Sequence, residues 1–268
     1  QQDWDWSNYR IMGVLQRIAL AYGIAAIMVI HLDLKKIFIS SVGILLAYWG
    51  ILWLGGGSAP YSLESNFIRK IDILMLGESH LYGGTGIQFD PEGLLSTIPS
   101  VVTVLMGYLV GSMLHTTKDF LDNVKRMSTF GIVSIIIGLI WGIIFPINKQ
   151  LWTSSYVLLT GGIATLFLSL LCYMIDIKKW KKPLWVFQIF GTNSILLFVL
   201  SGLWTKIILK IKFTLEGESI SGYGYLYKTL FVPFAGEMFG SLLFAFAHLL
   251  GFWLILLWLY RKKIFINL

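Results

Sequence analysis

Residues Phe89–Pro99 read FDPEGLLSTIP, and they join a long polar loop to an apolar run. Such a junction lies where water ends and lipid begins. Asp90 is placed to N-cap a helix whose first position is Pro91, and Glu92 lies beside the positive end of that helix. A carboxylate pair at the mouth of a membrane-buried helix is either a cap or the rim of a site. The rest of the chain is organised around that mouth.

Outward from this stretch, the composition is that of an integral membrane protein. Mean hydropathy is +0.75, 56% of the residues are hydrophobic and 13% are charged, far from the balance of soluble domains. The basic excess, 21 Lys and Arg against 14 Asp and Glu, would point to nucleic acid in a soluble domain. In a bilayer it sets orientation, and no nucleic-acid partner is expected. The single cysteine, Cys172, sits in an apolar run and excludes an intrachain disulfide or a cysteine metal cluster. The chain opens on Gln1 without a signal-peptide pattern. A segment upstream of Gln1 is therefore expected.

Seven apolar runs are long enough to span about 30 Å of hydrocarbon: Ile11–Ile30, Ile37–Leu54, Thr97–Leu114, Thr129–Phe145, Ser155–Ile175, Leu184–Leu209 and Met238–Tyr260. All are expected as helices, because lipid offers no partner for open backbone. The fold class is an all-α polytopic bundle of about seven transmembrane helices, with more upstream. Residues 1–268 are read as one transmembrane domain, with 55–96 as an extracytoplasmic loop inside it. Trp4, Trp6, Trp53, Trp152, Trp180, Trp258 and Tyr260 stand near span ends, as interfacial anchors do.

The loop charges set a topology. Lys35, Lys36, Lys118, Lys125, Arg126, Lys178, Lys179, Lys181, Lys182, Arg261, Lys262 and Lys263 crowd short loops, which the positive-inside rule makes cytoplasmic. The segment before Ile11, the Gly55–Ser96 loop, the Pro146–Trp152 turn and the Lys210–Glu237 loop then face outward, in an inner membrane with a cytoplasmic C-terminus. Ten acidic residues, including Asp3, Asp5, Glu216, Asp90 and Glu92, fall outside, and four fall inside. That imbalance attracts a cationic ligand such as an amino sugar, or is simply a solvated surface.

Polar residues at depth come next. Arg17 lies roughly 9 Å below the outer face by helical rise, on a stripe with Gly13, Ala21 and Ala25 that permits close packing. An arginine there needs a carboxylate or phosphate partner, or a snorkelling path. Asn193 falls near mid-bilayer in GTNS, with Gly191, Ser194, Ser201 and Thr205 as a polar stripe directed into the bundle, or as interhelical hydrogen bonds. The PINK turn puts Asn148 and Lys149 at the outer mouth, and the Gly107–Gly111 pair reads as helix packing. Among the histidines, His31 and His115 are interfacial and His248 reads as a core residue. His80, ten residues before Asp90, is the candidate base. No spacing suggests a metal, and no Walker or Rossmann fingerprint occurs.

The blocks RIMGVLQRIALAY (Arg10–Tyr22), IDILMLGESHLYGGTGIQFDPEGLLSTIPS (Ile71–Ser100), FPINKQLWTSSYVL (Phe145–Leu158), FGTNSIL (Phe190–Leu196) and LYRKKIF (Leu259–Phe265) resemble the heparan-α-glucosaminide N-acetyltransferase family. The resemblance runs in the same order from Arg10 to the C-terminus. It implies a multi-pass enzyme that takes acetyl-CoA from the cytoplasm and acetylates the amine of a terminal glucosamine across the membrane, with homodimers common among relatives. The family's catalytic histidine lies in an H-x-x-W-x-G motif that this chain does not contain and that would precede Gln1. The resemblance then leaves His80, Asp90 and Glu92 as catalytic candidates, with the two carboxylates holding the sugar ammonium and hydroxyls. Arg17 and Lys149 are candidates for the charged parts of acetyl-CoA, and Asn148 and Asn193 for hydrogen bonds to a carbonyl. The competing reading is a transporter or flippase for a sugar or an anion, which Arg17 and Asn193 would serve equally well.

Overall fold

The computed structural model describes residues 6–114, 116–180, 182–215 and 217–266. Asp3, Trp4, Asp5, His115, Lys181 and Glu216 lie outside the described residues. Six helices are long and apolar enough to cross a membrane, or seven spans if one bent pair counts as a span. The protein is an all-α polytopic membrane protein, and it divides into two compact units, Gln1–Lys179 and Trp180–Leu268.

The first unit contains α1 (Val14–His31), α2 (Leu34–Gly55), α3 (Phe67–Leu76), α4 (Leu94–Met113), α5 (Phe120–Trp141) and α6 (Ser154–Cys172), the last running on into a π turn at Tyr173–Ile177. Of the spanning windows α4 is 56% buried and no other exceeds 28%, so α4 is the post the others stand around. Ala21 and Ala25 of α1 pack on Val101, Leu105 and Leu109 of α4, with Ile37 of α2. The small-residue stripe beside Arg17 therefore does what its spacing predicts. On another face of α4, Val102 and Met106 meet Leu45 of α2 and Val157 of α6. Lipid tails are as apolar as these side chains, so close packing and not hydrophobicity selects the arrangement.

Close packing is most evident between α5 and α6. A Cβ at Gly138 would fall 2.8 Å from the Leu159 amide nitrogen, and one at Gly162 would fall 2.7 Å from the Gly131 carbonyl oxygen. By contrast, a Cβ at Gly107 or Gly111 meets nothing within 4 Å. The GYLVG pair is therefore not the packing motif it resembles, and the glycines that matter are elsewhere.

The polar segment between α2 and α4 is not a bare loop. Asn66 caps α3, its Oδ1 accepting from the Arg69 amide at 2.9 Å, and α3 buries Ile68 and Asp72 one turn apart on the same face. Asp33 and Asp119 cap α2 and α5 in the same way, accepting from Lys36 N and Leu121 N. The segment before α1, residues 56–93 and the Phe145–Thr153 turn meet at one end of the unit, joined by Arg10–Asp90, Ile11–His80 and Arg17–Trp152 contacts. Those are three of the segments that the charge alternation puts on a single face.

In the second unit the Leu184–Leu209 run is not one straight helix. It is divided at Asn193 into α7 (Trp185–Thr192) and α8 (Ser194–Lys210), bent by 76°. The cause is visible at Asn193. Its Nδ2 donates to the Ile264 carbonyl at 3.1 Å and its Oδ1 accepts from the Ile266 amide at 2.8 Å, so the side chain holds the C-terminal strand of chain. Among the described residues, the polar stripe expected here makes no hydrogen bond to another helix. Ser201 and Thr205 bond carbonyls of their own helix, and Thr205 is exposed. A hairpin of β1 (Lys212–Leu215) and β2 (Glu218–Ser221) follows, paired antiparallel. The short helix α9 (Gly222–Leu226) and a π turn (Tyr227–Phe231) then lead into α10 (Val232–Arg261). Helix α10 starts six residues before the expected Met238 and breaks at Gly236, whose φ of 72° is natural only for glycine.

Gly138→Val and Gly162→Val are each expected to lower stability by about 1–3 kcal/mol through overpacking, with Gly111→Ala neutral or slightly stabilising. Thermal unfolding in detergent micelles checks this; equal effects at Gly111 and Gly138 would contradict the assignment of the α5–α6 interface.

Candidate functional site

The mouth of α4 is built from four segments. Residues Gln88–Gly93 return from α3 because Arg69 Nε donates to the Gln88 carbonyl at 2.8 Å and the Phe89 amide donates to the Tyr82 carbonyl at 3.0 Å. Phe89 is buried in an aromatic cluster with Tyr48, Leu52, Ile68, Phe145 and Leu151. That anchor leaves Asp90, Pro91 and Glu92 at the top of α4.

Asp90 is fully buried and is held from the N-terminal segment. Arg10 Nε donates to its Oδ2 at 2.9 Å, and Arg10 Nη2 donates to Oδ1 at 2.7 Å. The same Nη2 donates to Glu92 Oε2 at 2.7 Å, and Asp90 Oδ1 also accepts from the Glu92 amide at 2.9 Å. A planar guanidinium suits this two-carboxylate fork, and a lysine does not. The Arg10 guanidinium carbon also stands 4.6 Å from the centroid of the Tyr82 ring. The hydrogen bond to Asp90 raises the pKa of Arg10 above its usual value, against a smaller opposing effect of burial. Asp90 thus has both oxygens occupied. Glu92, with its side chain 23% exposed, keeps Oε1 free of protein donors among the described residues.

Asp90 does not cap the helix. The N-cap is Gly93, which has no side chain to offer, and α4 starts at Leu94, after Pro91. The acceptor comes instead from α3. Asp72 Oδ1 receives the Leu94 amide at 3.0 Å and the Leu95 amide at 3.5 Å. Gly93 is required by this approach, since a Cβ there would lie 1.7 Å from Asp72 Oδ2. Asp72 Oδ2 is buried with no hydrogen-bond partner. Burial pushes the Asp72 carboxyl up to about 6, against the two amide hydrogen bonds, which pull it down.

Arg17 reaches the same place from α1. It lies in the first turn of that helix, because α1 begins at Val14 with Gly13 as its N-cap. Its Nη2 donates to the Pro91 carbonyl at 2.5 Å and to the Ser96 hydroxyl. Its guanidinium carbon sits 4.7 Å from the Trp152 ring centroid, and its Nε is buried without a partner. No carboxylate forms an ion pair with Arg17 among the described residues. Trp152 is itself unusual, a non-glycine residue at φ 50°. It is held there by its Nε1 donating to Thr103 Oγ1 at 3.2 Å and by an edge contact with Tyr156. The turn before it is stiff: Asn148 Oδ1 accepts from the Gln150 and Leu151 amides, Tyr48 donates to the Leu151 carbonyl at 2.5 Å, and Ser155 donates to the Phe145 carbonyl at 2.6 Å.

The structure therefore gathers Asp90, Glu92, Arg17 and the Asn148 turn at one end of the first unit. His80 stands at the edge of this group, half-buried, with Nδ1 2.7 Å from the Tyr9 carbonyl oxygen. Lys149 is exposed on the turn. Asn193 belongs to the second unit, where its amide is occupied by the C-terminal chain. Three residues of the mouth escape a reading of spacing alone: Arg10, Asp72 and Trp152. Arg10 opens the first block of family resemblance, and Asp72 is a lone carboxylate on the buried face of an amphipathic helix. Either signal could have been weighed. No group of three or more His, Cys, Asp or Glu side chains is placed to hold a metal ion among the described residues.

No family model matches the chain. Two curated proteins are similar to it, and both are named heparan-alpha-glucosaminide N-acetyltransferase. The human protein is 29% identical over 248 residues, covering 72% of this chain and 37% of its own length. The mouse protein is 28% identical over 250 residues with the same coverage. The chain thus spans little more than a third of the relatives it matches.

Asp72→Ala is expected to destabilise the protein by about 1 kcal/mol through loss of the α4 cap, whereas Asp72→Asn keeps the acceptor. With a folded pKa near 6 and an unfolded value of 3.8, the folded state binds more protons between those values. Stability contributed by Asp72 is then fully present below about pH 4, is lost as pH rises through 6, and is level above that. Denaturation curves from pH 4 to 7 should show this slope in the wild type and a flatter one in Asp72→Asn. Separately, a double-mutant cycle on Arg10→Met and Asp90→Asn is expected to give a coupling of about 1–2 kcal/mol, reduced from a buried pair's value by the partial exposure of Arg10.

Proposed function

The chain is related to the heparan-α-glucosaminide N-acetyltransferases, and from that relationship we propose that it forms the acceptor end of a membrane acetyltransferase. The reaction moves the acetyl group of acetyl-CoA to the amine of a glucosamine-type sugar: a C–N bond forms, the thioester C–S bond breaks, and the amine proton passes to a base. Acetyl-CoA enters from the cytoplasm, where the lysine-rich loops and the C-terminus lie, and the sugar binds on the extracytoplasmic side of the inner membrane at the mouth of α4.

The observation that carries this reading is the Arg10–Asp90–Glu92 bridge, set beside Arg17 at the same turn. Asp90 is a positioning residue, because Arg10 takes both of its oxygens. Glu92 keeps one oxygen for the sugar ammonium, as a cationic acceptor requires. His80 at the rim is the candidate base among these residues. The reacting histidine implied by family resemblance belongs to a motif that these 268 residues do not contain. The unpaired Nε of Arg17, and the Nδ2 of Asn148, are donors suited to the acyl carbonyl of the donor thioester, where charge develops as the amine attacks. A homodimer remains part of this proposal.

One observation favours a transporter or flippase instead. The 76° break at Asn193 is the kind of discontinuous helix that transporters use at their sites.

The two readings separate in proteoliposomes holding the full-length protein. Release of free CoA thiol that depends on glucosamine supports acetyl transfer, and sugar uptake without thiol release supports transport. Arg10→Ala is expected to lower kcat/KM for the sugar by about tenfold or more, with Arg10→Lys recovering little, since only a planar fork spans both carboxylates. Cysteines placed at Gly86 and Lys262 should react with impermeant thiol reagents from opposite sides of the membrane. Labelling from one side would remove the vectorial scheme.

A further inference from the structure

The second unit contains a cavity whose lining includes none of the residues of the α4 mouth. Its volume is about 350 Å³, and Trp204 of α8, Phe231 of the π turn and Phe244, His248, Gly251 and Phe252 of α10 line it. His248 is near the middle of α10, well inside the apolar stretch. Its Nδ1 lies 2.8 Å from the Phe244 carbonyl oxygen, which can only accept. The proton therefore sits on Nδ1, and in the neutral ring Nε2 carries a lone pair. No described residue donates to Nε2. Phe244 meets the ring at 4.4 Å, edge to face, and the Tyr223 ring lies 5.4 Å away.

We propose that this cavity binds a neutral, membrane-soluble molecule through a single hydroxyl group, which donates to His248 Nε2 while its apolar body lies against the aromatic walls. The chemistry of the lining selects this class. His248 supplies the one side-chain acceptor among the lining residues, so one donor matches it. No acidic residue lines the cavity, so an ammonium at this depth would have no counter-charge and is disfavoured. A plain hydrocarbon would cover the imidazole nitrogen without giving it a hydrogen bond, which is unfavourable in lipid. The wall includes a π turn, a distortion that recurs at functional sites. The proposal is independent of the acetyltransferase reading, and it gives His248 a binding role in place of the core role its apolar neighbours imply.

The test is competition against tritium-labelled 1-dodecanol on the detergent-solubilised full-length protein, with unlabelled 1-dodecanol, its methyl ether and n-dodecane as competitors. The wild type is expected to prefer the alcohol to the ether and the alkane by roughly tenfold, the factor that one neutral hydrogen bond supplies. His248→Phe keeps a ring and should lose the preference, and His248→Gln should restore part of it. A Cβ at Gly251 meets nothing within 4 Å, so Gly251→Leu enters the cavity without a clash at Cβ and should abolish binding of all three. That variant decides the matter if His248→Phe fails to fold. Equal binding of alcohol, ether and alkane to the wild type would mean a groove filled by ordinary acyl chains and would overturn the proposal. So would a preference that survives in His248→Phe, or undiminished binding to Gly251→Leu.

Discussion

Helix α4 begins at the buried Gly93, and its first amides are met from another helix. Four amide groups at a helix start lack partners in their own helix, and in the interior each must be met by a side chain. Gly93 offers none, so Asp72 crosses from α3 to receive the amides of Leu94 and Leu95. Much of the first unit follows from that. Helix α3 must lie against the top of α4, the chain between them must return through a fixed path, and Phe89 must be buried to hold that path. The Asp90–Glu92 turn is what the return leaves in place.

Asp72 serves the backbone at a cost to itself. One oxygen is bonded and the other is buried without a partner, and burial raises its pKa toward neutrality. Arg17 shows the same pattern, with Nη2 satisfied by Pro91 and Ser96 and Nε left alone. Two incompletely satisfied polar groups at one helix mouth are unusual in a well-packed interior, and Trp152 in a left-handed conformation adds backbone strain beside them. Strain and unsatisfied polarity gathered at one place are what a binding or reacting site leaves in a fold. Elsewhere in the same unit, α5 and α6 meet through glycines, where a Cβ at Gly138 or Gly162 would press on the backbone of the facing helix.

The second unit departs from regular helix at three points, each with a local cause. Asn193 turns from the helix to hold Ile264 and Ile266. Gly236 breaks the start of α10 with a positive φ. The π turn at Tyr227–Phe231 precedes that break, and Tyr227 donates to the Glu237 carbonyl beyond it. The Glu237 carbonyl just past the Gly236 break is thus met by a side chain of the same unit, as a membrane interior demands.

The sequence by itself determined the class of protein and most of the spans, and it singled out the FDPEG turn that the structure sets just before α4. Those rest on apolar run length, loop charge and local order, which are properties of neighbouring residues. The small-residue face of α1 was legible for the same reason. Only the tertiary structure decided that Asp72 and not Asp90 caps α4, that Arg10 closes the fork on Asp90 and Glu92, and that Asn193 ends a helix. Each of these joins residues far apart in the chain, Asp72 with Leu94 across 22 positions and Arg10 with Asp90 across 80. Local pattern carries no record of such partners. A carboxylate before a proline looks like a cap until a guanidinium from another segment takes both its oxygens, and an asparagine in an apolar run looks like part of a helix until a distant backbone offers it two better hydrogen bonds.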